Sequence, residues 1–397
     1  MTDAFLPYGR HQIDEDDIAA VVDVLRHGVL TCGPKVEAFE KAFAEKIGVP
    51  EAVVCSNGTT ALHLAAIVAG LGPGDKAIVP AITFLATANA VRMTGADVVF
   101  ADVDPNTGLM TPETMQAAIA KGGNAVKAVM PVHMNGQMGD MEALRSLTEE
   151  RELQLISDCC HALGAKYNGG GVPGDGRFED LGCFSLHPVK SIAMGEGGMV
   201  TTRDSGVAAR LRLLRGQGME RGQNGWARPE LAFDQNGDPN PWYYEMQELA
   251  YNYRATDLQC ALGLSQLGKL DRFVSRRVEI AGLYDELLAP LAPRLKPVPR
   301  SSFGQSAWHL YPVLIDFEAV GQDRAAVMKA LVEYGVGTQV HYEPVAWQPY
   351  YRGLYGDMPL PGAAHYYARV LSLPIFPAMS DEDVKRVADA LDAVLKS

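Results

Sequence analysis

The sequence predicts an α/β protein, a large and mostly parallel doubly wound sheet covered by helices on both faces, followed by a smaller α+β unit. Three observations lead there. Between residues 52 and 202, short apolar runs alternate with helix-length segments. The runs are apolar nearly throughout rather than at every second position, as strands buried on both faces must be. Several stop at or just before a residue that carries chemistry, which is where open α/β sheets place ligands.

Taken in order, residues 14–27 and 34–47 read as amphipathic helices, the second opened by Gly33-Pro34 because the fixed φ of proline suits a first helical turn. Residues 52–55, 77–80, 98–102, 128–132, 153–158 and 181–186 read as strands, with helices at 59–70, 84–94, 112–120 and 141–151 between them. A strand at 199–202 follows a tight turn that Gly195, Gly197 and Gly198 permit. Residues 220–247, rich in Gly, Asn, Pro and aromatic residues, interrupt the alternation as a long loop leading to a hairpin that ends near residues 251–254. A helical pattern then runs from 256 to about 288, and strands and helices alternate again over 289–397. The expected division is a large α/β domain over 1–265, with the hairpin insertion at about 220–254, and a linking helix with a small domain over 266–397.

Composition narrows the function. A net charge of −13 argues against general nucleic-acid binding, so an anionic ligand would need a locally positive site. No apolar stretch reaches membrane-spanning length, and Met1-Thr2-Asp3-Ala4-Phe5 lacks the basic and apolar parts of a signal peptide, so the expected compartment is the cytoplasm. The six cysteines form no C-x-x-C pair, and neither they nor the nine histidines show metal-ligand spacing, so no metal is expected.

Lys190 stands just past the end of the run 181–186, after Pro188 and before the glycine turn. Most lysines are solvated surface residues, but a lysine in this position can form a Schiff base with a carbonyl cofactor. Asp158 ends another buried run, where a carboxylate can hold a pyridine nitrogen protonated; the plainer role is a turn aspartate. His161 follows three residues on, within reach of the same ligand, although a lone histidine is more often structural. Ser56-Asn57-Gly58-Thr59-Thr60 joins a strand to a helix and offers free N–H groups and hydroxyls to a phosphate, or serves simply as an N-cap. Phe84 can stack on a flat ring or fill core, and Ser185 can add a hydroxyl to the phosphate site. Each feature alone is ambiguous. Phosphate donors, a stacking ring, a pyridinium partner and a Schiff-base lysine at successive strand ends together describe a pyridoxal 5′-phosphate (PLP) site.

Gly33-Pro34, the segments at 56–62, 83–89 and 158–162, the run 185–190, the turn 195–198 and the stretch 252–259 together resemble the DegT-type sugar aminotransferases, of the aspartate-aminotransferase class (PLP fold type I). The resemblance covers almost the whole chain. It implies Lys190 as the lysine that carries the cofactor, Asp158 on the ring nitrogen and His161 near the ring hydroxyl. It also implies Phe84 stacked on the ring, Gly58, Thr59 and Ser185 on the phosphate, and Asn252 reaching the phosphate of the neighbouring subunit in a homodimer. A branch with histidine in place of the lysine dehydrates sugars, so Lys190 favours transamination, with pyridoxamine 5′-phosphate as the alternate cofactor form. Leu186 and Met194 depart from the commoner Phe and Thr and reshape the pocket without removing a catalytic group. The stretches 157–164, 263–267 and 339–342 look closest to the branch serving pseudaminic-acid biosynthesis, which implies a UDP-linked 4-keto sugar and L-glutamate, released as 2-oxoglutarate. Arg215, Arg254, His341 and Tyr342 are candidate substrate contacts. Trp226, Trp242, Tyr243 and Tyr244 in the hairpin can cover a neighbouring site, but fit dimer-interface core better. Amination of a GDP- or dTDP-linked sugar, at C3 or C4, stays open. So does a PLP lyase using Cys159, Cys160 or Cys183.

Overall fold

A computed structural model describes residues 5–222 and 226–396. Two helices open the chain. Helix α1 (Glu15–His27) starts at a reciprocal cap between Asp14 and Asp17, with acidic residues in its first turn and Arg26 and His27 in its last, matching the helix dipole. Helix α2 (Pro34–Ile47) has proline in its first turn and ends at Gly48, whose φ of 80° is the left-handed stop that glycine accepts without cost.

Strands and helices then alternate as β1 (Glu51–Cys55), α3 (Gly58–Val68), β2 (Lys76–Pro80), α4 (Leu85–Met93), β3 (Asp97–Ala101), α5 (Pro112–Gly122), β4 (Val126–Val129), α6 (Met141–Glu149) and β5 (Gln154–Asp158). A short β6 (Lys166–Tyr167) precedes β7 (Leu181–Ser185) and β8 (Gly198–Thr202). Seven of these strands form one sheet in the order β1-β8-β7-β5-β4-β2-β3. It is the predicted large sheet, with one element of opposite sense: β8 runs antiparallel to both β7 and β1, while the other pairings are parallel. The carboxyl ends of β1, β2, β4, β5 and β7 therefore share one edge, where ligands bind in such sheets.

Helix α7 (Ser205–Arg215) leads to the 220–247 region. Strands β9 (Met219–Glu220) and β10 (Glu245–Met246) pair at the base of that excursion, and a single helical turn, α8 (Pro229–Ala232), lies within it. The predicted helix from 256 to 288 is two: α9 (Asp257–Leu267) and α10 (Leu270–Leu288). The break falls at Gly268-Lys269, where the Lys269 ammonium pairs with Asp14 and Asp17 of the first helix. A division after residue 265 falls within α9, and the first turns of α10, at Leu270 and Phe273, still pack with Phe39 and Phe184 of the large unit.

The remainder holds β11 (Leu295–Pro297), β12 (Gly304–Gln305), β13 (Tyr311–Ile315), α11 (Phe317–Val320), α12 (Arg324–Glu333), α13 (Pro349–Tyr355), α14 (Pro361–Arg369), β14 (Val370–Leu373) and α15 (Asp381–Lys396). Strands β11, β13 and β14 form a second, antiparallel sheet. Its core unites Ile280 and Tyr284 of α10, Val313, Leu331 of α12 and Leu391 of α15, and Leu6 from the far end of the chain joins them. Leu6 is held there by a parallel bridge to Val336. No helix among the described residues is long and apolar enough to cross a membrane.

One buried carboxylate makes the large sheet pH-sensitive. Glu179, 3% exposed just before β7, accepts the N–H groups of Gly174 and Gly176 at 2.9 and 3.0 Å. Burial nevertheless outweighs those bonds and pushes its carboxyl up to about 7 from 4.5. A carboxyl whose folded value lies above its unfolded one holds a proton more tightly in the folded state. Its contribution is therefore complete below about 4.5 and is lost as pH rises to about 7. The loss amounts to about 3 kcal/mol. Glu179→Gln keeps the acceptor oxygen without the charge, so the expected result is a urea-unfolding midpoint that falls less between pH 5 and pH 8 than in the parent. Parallel pH curves would refute this role.

Candidate active site

The register across three strands builds the first part of the site. Cys55, Gly198 and Ser185 stand side by side on β1, β8 and β7, which brings the turn after β1 against the end of β7. Two glycines make the approach possible. A Cβ on Gly58 would lie 2.7 Å from that of Ser185, and one on Gly198 would lie 2.2 Å from the carbonyl oxygen of Asn57. Asn57 caps α3: its Oδ1 accepts from the Thr60 N–H at 2.9 Å, and Thr60 Oγ1 accepts from the Asn57 N–H at 3.1 Å. Gly58 and Thr59 are the first two helical residues, so their N–H groups have no acceptor within the helix. Both line the crevice together with Ser185, an arrangement suited to a phosphate. Gly58→Ala is expected to push Ser185 and the helix start apart and weaken cofactor retention by about tenfold, as one disturbed charge-assisted bond allows. Cofactor release on dilution, followed by absorbance, measures it.

Asp158 closes the opposite end. It is 5% exposed, and its Oδ2 accepts from Thr87 Oγ1 at 2.8 Å while Oδ1 accepts from the Cys160 N–H at 3.1 Å. Thr87 sits on α4 and is steadied by Thr83 Oγ1 at 2.7 Å. The carboxylate is thus fixed in orientation, as a group paired with one ring nitrogen has to be.

Lys190 lies in a loop whose ends are tied by the Leu186 N–H to Gly197 O at 2.8 Å and the Met194 N–H to Leu186 O at 3.0 Å. Gly195, at φ 80°, makes the turn possible. The side chain is half-buried and enters the crevice. Burial lowers the affinity of its amine for a proton, and the nearby Cys160 and Asp158 oppose that shift without cancelling it. An amine drawn down from the ordinary lysine range is closer to usable as a base near neutrality.

Histidines far apart in sequence converge here. His161 and His309 pack as tilted rings with centroids 4.3 Å apart, and His341 Nδ1 shares a hydrogen bond with Ser372 Oγ at 2.8 Å. Burial, reinforced by the Lys190 charge, drives His161 and His309 well below the ordinary imidazole range and His341 down to about 3, so all three are neutral. Tyr342 lies between Phe84 and His161, at 5.9 and 6.3 Å, and Tyr8 packs on His341 at 5.5 Å. Phe84 itself is 55% exposed at the mouth, free to meet a ring rather than fill core. The crevice so enclosed measures about 600 Å³, within the range of small-molecule sites.

Nine of the expected residues meet in this crevice: Gly58, Thr59, Phe84, Asp158, His161, Ser185, Lys190, His341 and Tyr342. Arg215 does not, and its expected contact with substrate is corrected: the guanidinium is spent on the Glu40 carboxylate and the Val54 carbonyl, behind β1. Arg254 lines a hollow separate from the crevice, together with Glu40 and Arg215, and Asn252 is exposed outside the crevice of its own chain. Within the 219–246 excursion, Trp226 packs on Phe233 and Tyr243, while Trp242 and Tyr244 point outward. The sequence reading missed Tyr8, Thr83, Thr87 and His309. The hydroxyl spacing of Thr83 and Thr87, one helical turn apart, was the available signal for two of them. Burial pushes the thiols of Cys159, Cys160 and Cys183 well above the ordinary range, which removes the thiolate a cysteine-based lyase needs.

A mostly parallel sheet with a buried aspartate, a lysine of lowered basicity and a phosphate-type helix start at one edge defines a cofactor-dependent group-transfer enzyme. The chain belongs to the DegT/DnrJ/EryC1/StrS aminotransferase family, whose model matches residues 11–392. The family's enzymes are PLP-dependent, and the chain is a nucleotide-sugar aminotransferase of PLP fold type I, acting on a sugar and an amino donor. It is 39% identical over 395 residues to the spore coat polysaccharide biosynthesis protein SpsC of Bacillus subtilis, covering 99% of this chain and 97% of that one. It is also similar to Helicobacter pylori PseC, an aminotransferase of pseudaminic-acid biosynthesis, at 28% identity, 99% coverage of both chains and a TM-score of 0.88. Spr1654 of Streptococcus pneumoniae, solved in its PLP form, matches at 27% identity, 99% coverage of both chains and a TM-score of 0.87.

Proposed function

We propose that this enzyme transfers the amino group of L-glutamate to the 4-keto carbon of a UDP-linked 4-keto-6-deoxy-N-acetylhexosamine, giving a UDP-4-amino-4,6-dideoxy sugar for pseudaminic-acid biosynthesis. The observation that carries the chemistry is the convergence of Lys190, Asp158 and the free amides of α3 on one crevice. The likeness to PseC supports the choice of sugar.

The residues fit PLP. Gly58, Thr59 and Ser185 would hold its phosphate, Asp158 its ring nitrogen, Phe84 and His161 its ring, and Lys190 its carbonyl carbon. When bound, it supplies a carbonyl for the amino group and a ring that withdraws electrons. The protein does the rest. Asp158 keeps a positive charge at the far end of the ring, because Thr87 and the Cys160 amide hold its carboxylate in place. Lys190 Nζ takes and returns a proton on one face, and its lowered basicity lets it do both. The rings of Phe84, Tyr342 and Tyr8 line the crevice beside that proton and would limit water there once the site is filled.

The enzyme would work as a homodimer. No arginine lines the crevice among the described residues, yet a diphosphate and a dicarboxylate both call for cations. Asn252, exposed outside its own crevice, would reach the cofactor phosphate of the partner subunit, and Arg254 would contact substrate. The test is to load the protein with pyridoxamine phosphate, add UDP-, GDP- and dTDP-linked keto sugars, and follow the PLP absorbance and the product mass. Turnover with the UDP-linked L-arabino-4-keto sugar supports the reading. Turnover with another sugar alone would replace the substrate, and no response to any would overturn the reading.

A further inference from the structure

A free amine on a four-carbon stem points wherever its rotamers allow, whereas an amine that moves a proton must point at one atom. Among the described residues, the hydrogen-bond partner of Lys190 Nζ is His309 Nε2, 119 residues away in sequence and at 3.5 Å. That is the outer limit for such a bond, as is usual before a ligand tightens a site. The Nδ1 of His309 has no partner among the described residues, so the ring's one polar contact is with Lys190.

The surroundings of His309 are costly and converge on it. Its ring is 5% exposed and packed at a tilt against His161. The preceding residue, Trp308, has a φ of 48°, a left-handed conformation that a bulky residue adopts only under constraint. Its N–H is caught by Ser306 Oγ at 2.9 Å. The Arg277 guanidinium, 1% exposed and without an ion pair among the described residues, donates to the carbonyls of Trp308, His309 and Ile375 at 3.1, 3.3 and 2.8 Å. A strained turn and a buried cation are thus both committed to the one peptide that aims this ring.

We propose that His309 is a positioning residue for Lys190: its Nε2 accepts a hydrogen bond from the amine whenever the amine is free, which turns the nitrogen lone pair into the crevice. The proposal rests on Lys190 being the lysine of transamination. A histidine that accepted nothing and donated instead would occupy that lone pair. The ring is neutral, so it can accept. The other groups facing the amine are Asp158, Cys160 and His161 from the end of β5 and His341 and Tyr342 from the segment before α13, with Arg277 behind His309.

The test uses the cofactor-free protein. Acetylation of Lys190 by acetic anhydride is followed by peptide mass across pH in the parent, His309→Ala and His309→Gln. Glutamine offers an uncharged acceptor near the place of Nε2. The expected midpoint falls by about half a pH unit in the alanine variant, because the ammonium loses an acceptor, and stays with the parent in the glutamine variant. Three superimposed curves, a rise in the alanine variant, or glutamine moving with alanine would each overturn the proposal. Nitrogen-15 NMR of histidine in the parent protein gives a reading independent of whether the variants fold: Nε2 should be unprotonated, and a proton there overturns the assignment. With the cofactor loaded, single-turnover proton transfer should slow about tenfold in His309→Ala and recover in His309→Gln, with donor binding unchanged. Borohydride fixation of PLP onto Lys190 of the parent checks the lysine separately.

Discussion

Lys190→Ala should lower sugar amination by roughly 10³–10⁴-fold, the loss of a positioned acid–base group. The variant should still fold, because the loop is tied by backbone bonds that alanine keeps, Lys190 N–H to His187 O, Leu186 N–H to Gly197 O and Met194 N–H to Leu186 O, and not by the Lys190 side chain, which reaches only His309. It should also still hold the cofactor, through the helix start and Asp158. The measurement is a single turnover of the variant loaded with pyridoxamine phosphate, with and without added ethylamine. A small amine that enters the crevice should restore part of the rate, as substitution of a missing base does. Unchanged activity in the variant would assign the proton transfer elsewhere.

Asp158→Asn should cost roughly 10²–10³-fold in rate, comparable to removing one preorganised electrostatic contact in a dry site. The amide oxygen can still accept from the Cys160 N–H, and Thr87 can turn its hydroxyl toward the new amide nitrogen. Thermal stability should therefore shift by no more than a few degrees, which separates loss of charge from loss of fold. A near-normal rate in this variant would show that the carboxylate serves only to end β5.

Sequence reading succeeds here where the information is local. The cap at Asn57, the glycine turn after Lys190 and the carboxylate ending β5 each depend on neighbours within a few residues. It falls short where a contact spans the chain. Arg215 looked available because nothing nearby opposes it, yet Glu40, 175 positions back, takes its charge. The helix after Thr256 looked continuous because its apolar pattern does not lapse; it breaks at Gly268-Lys269, where Lys269 pairs with Asp14 and Asp17 from the other end of the sequence. The histidines show no metal-ligand spacing in sequence, yet His161, His309 and His341 meet around one lysine because the turn after β5, the residues leading into β13 and the segment before α13 converge on the crevice. No periodicity reports such a meeting.

The bridge between Leu6 and Val336, with Tyr8 beside His341, has a consequence for the life of the chain. Residues 6–8 have to meet residues 336–342, more than 300 positions away in sequence, before the crevice has that wall. A ribosome-bound fragment carries Lys190 and Asp158 long before it carries His309 or Tyr342, so it presents reactive groups without a chamber. A crevice lined by both Tyr8 and Tyr342 is therefore closed by a long-range clasp, the Leu6–Val336 bridge, rather than by either local fold alone.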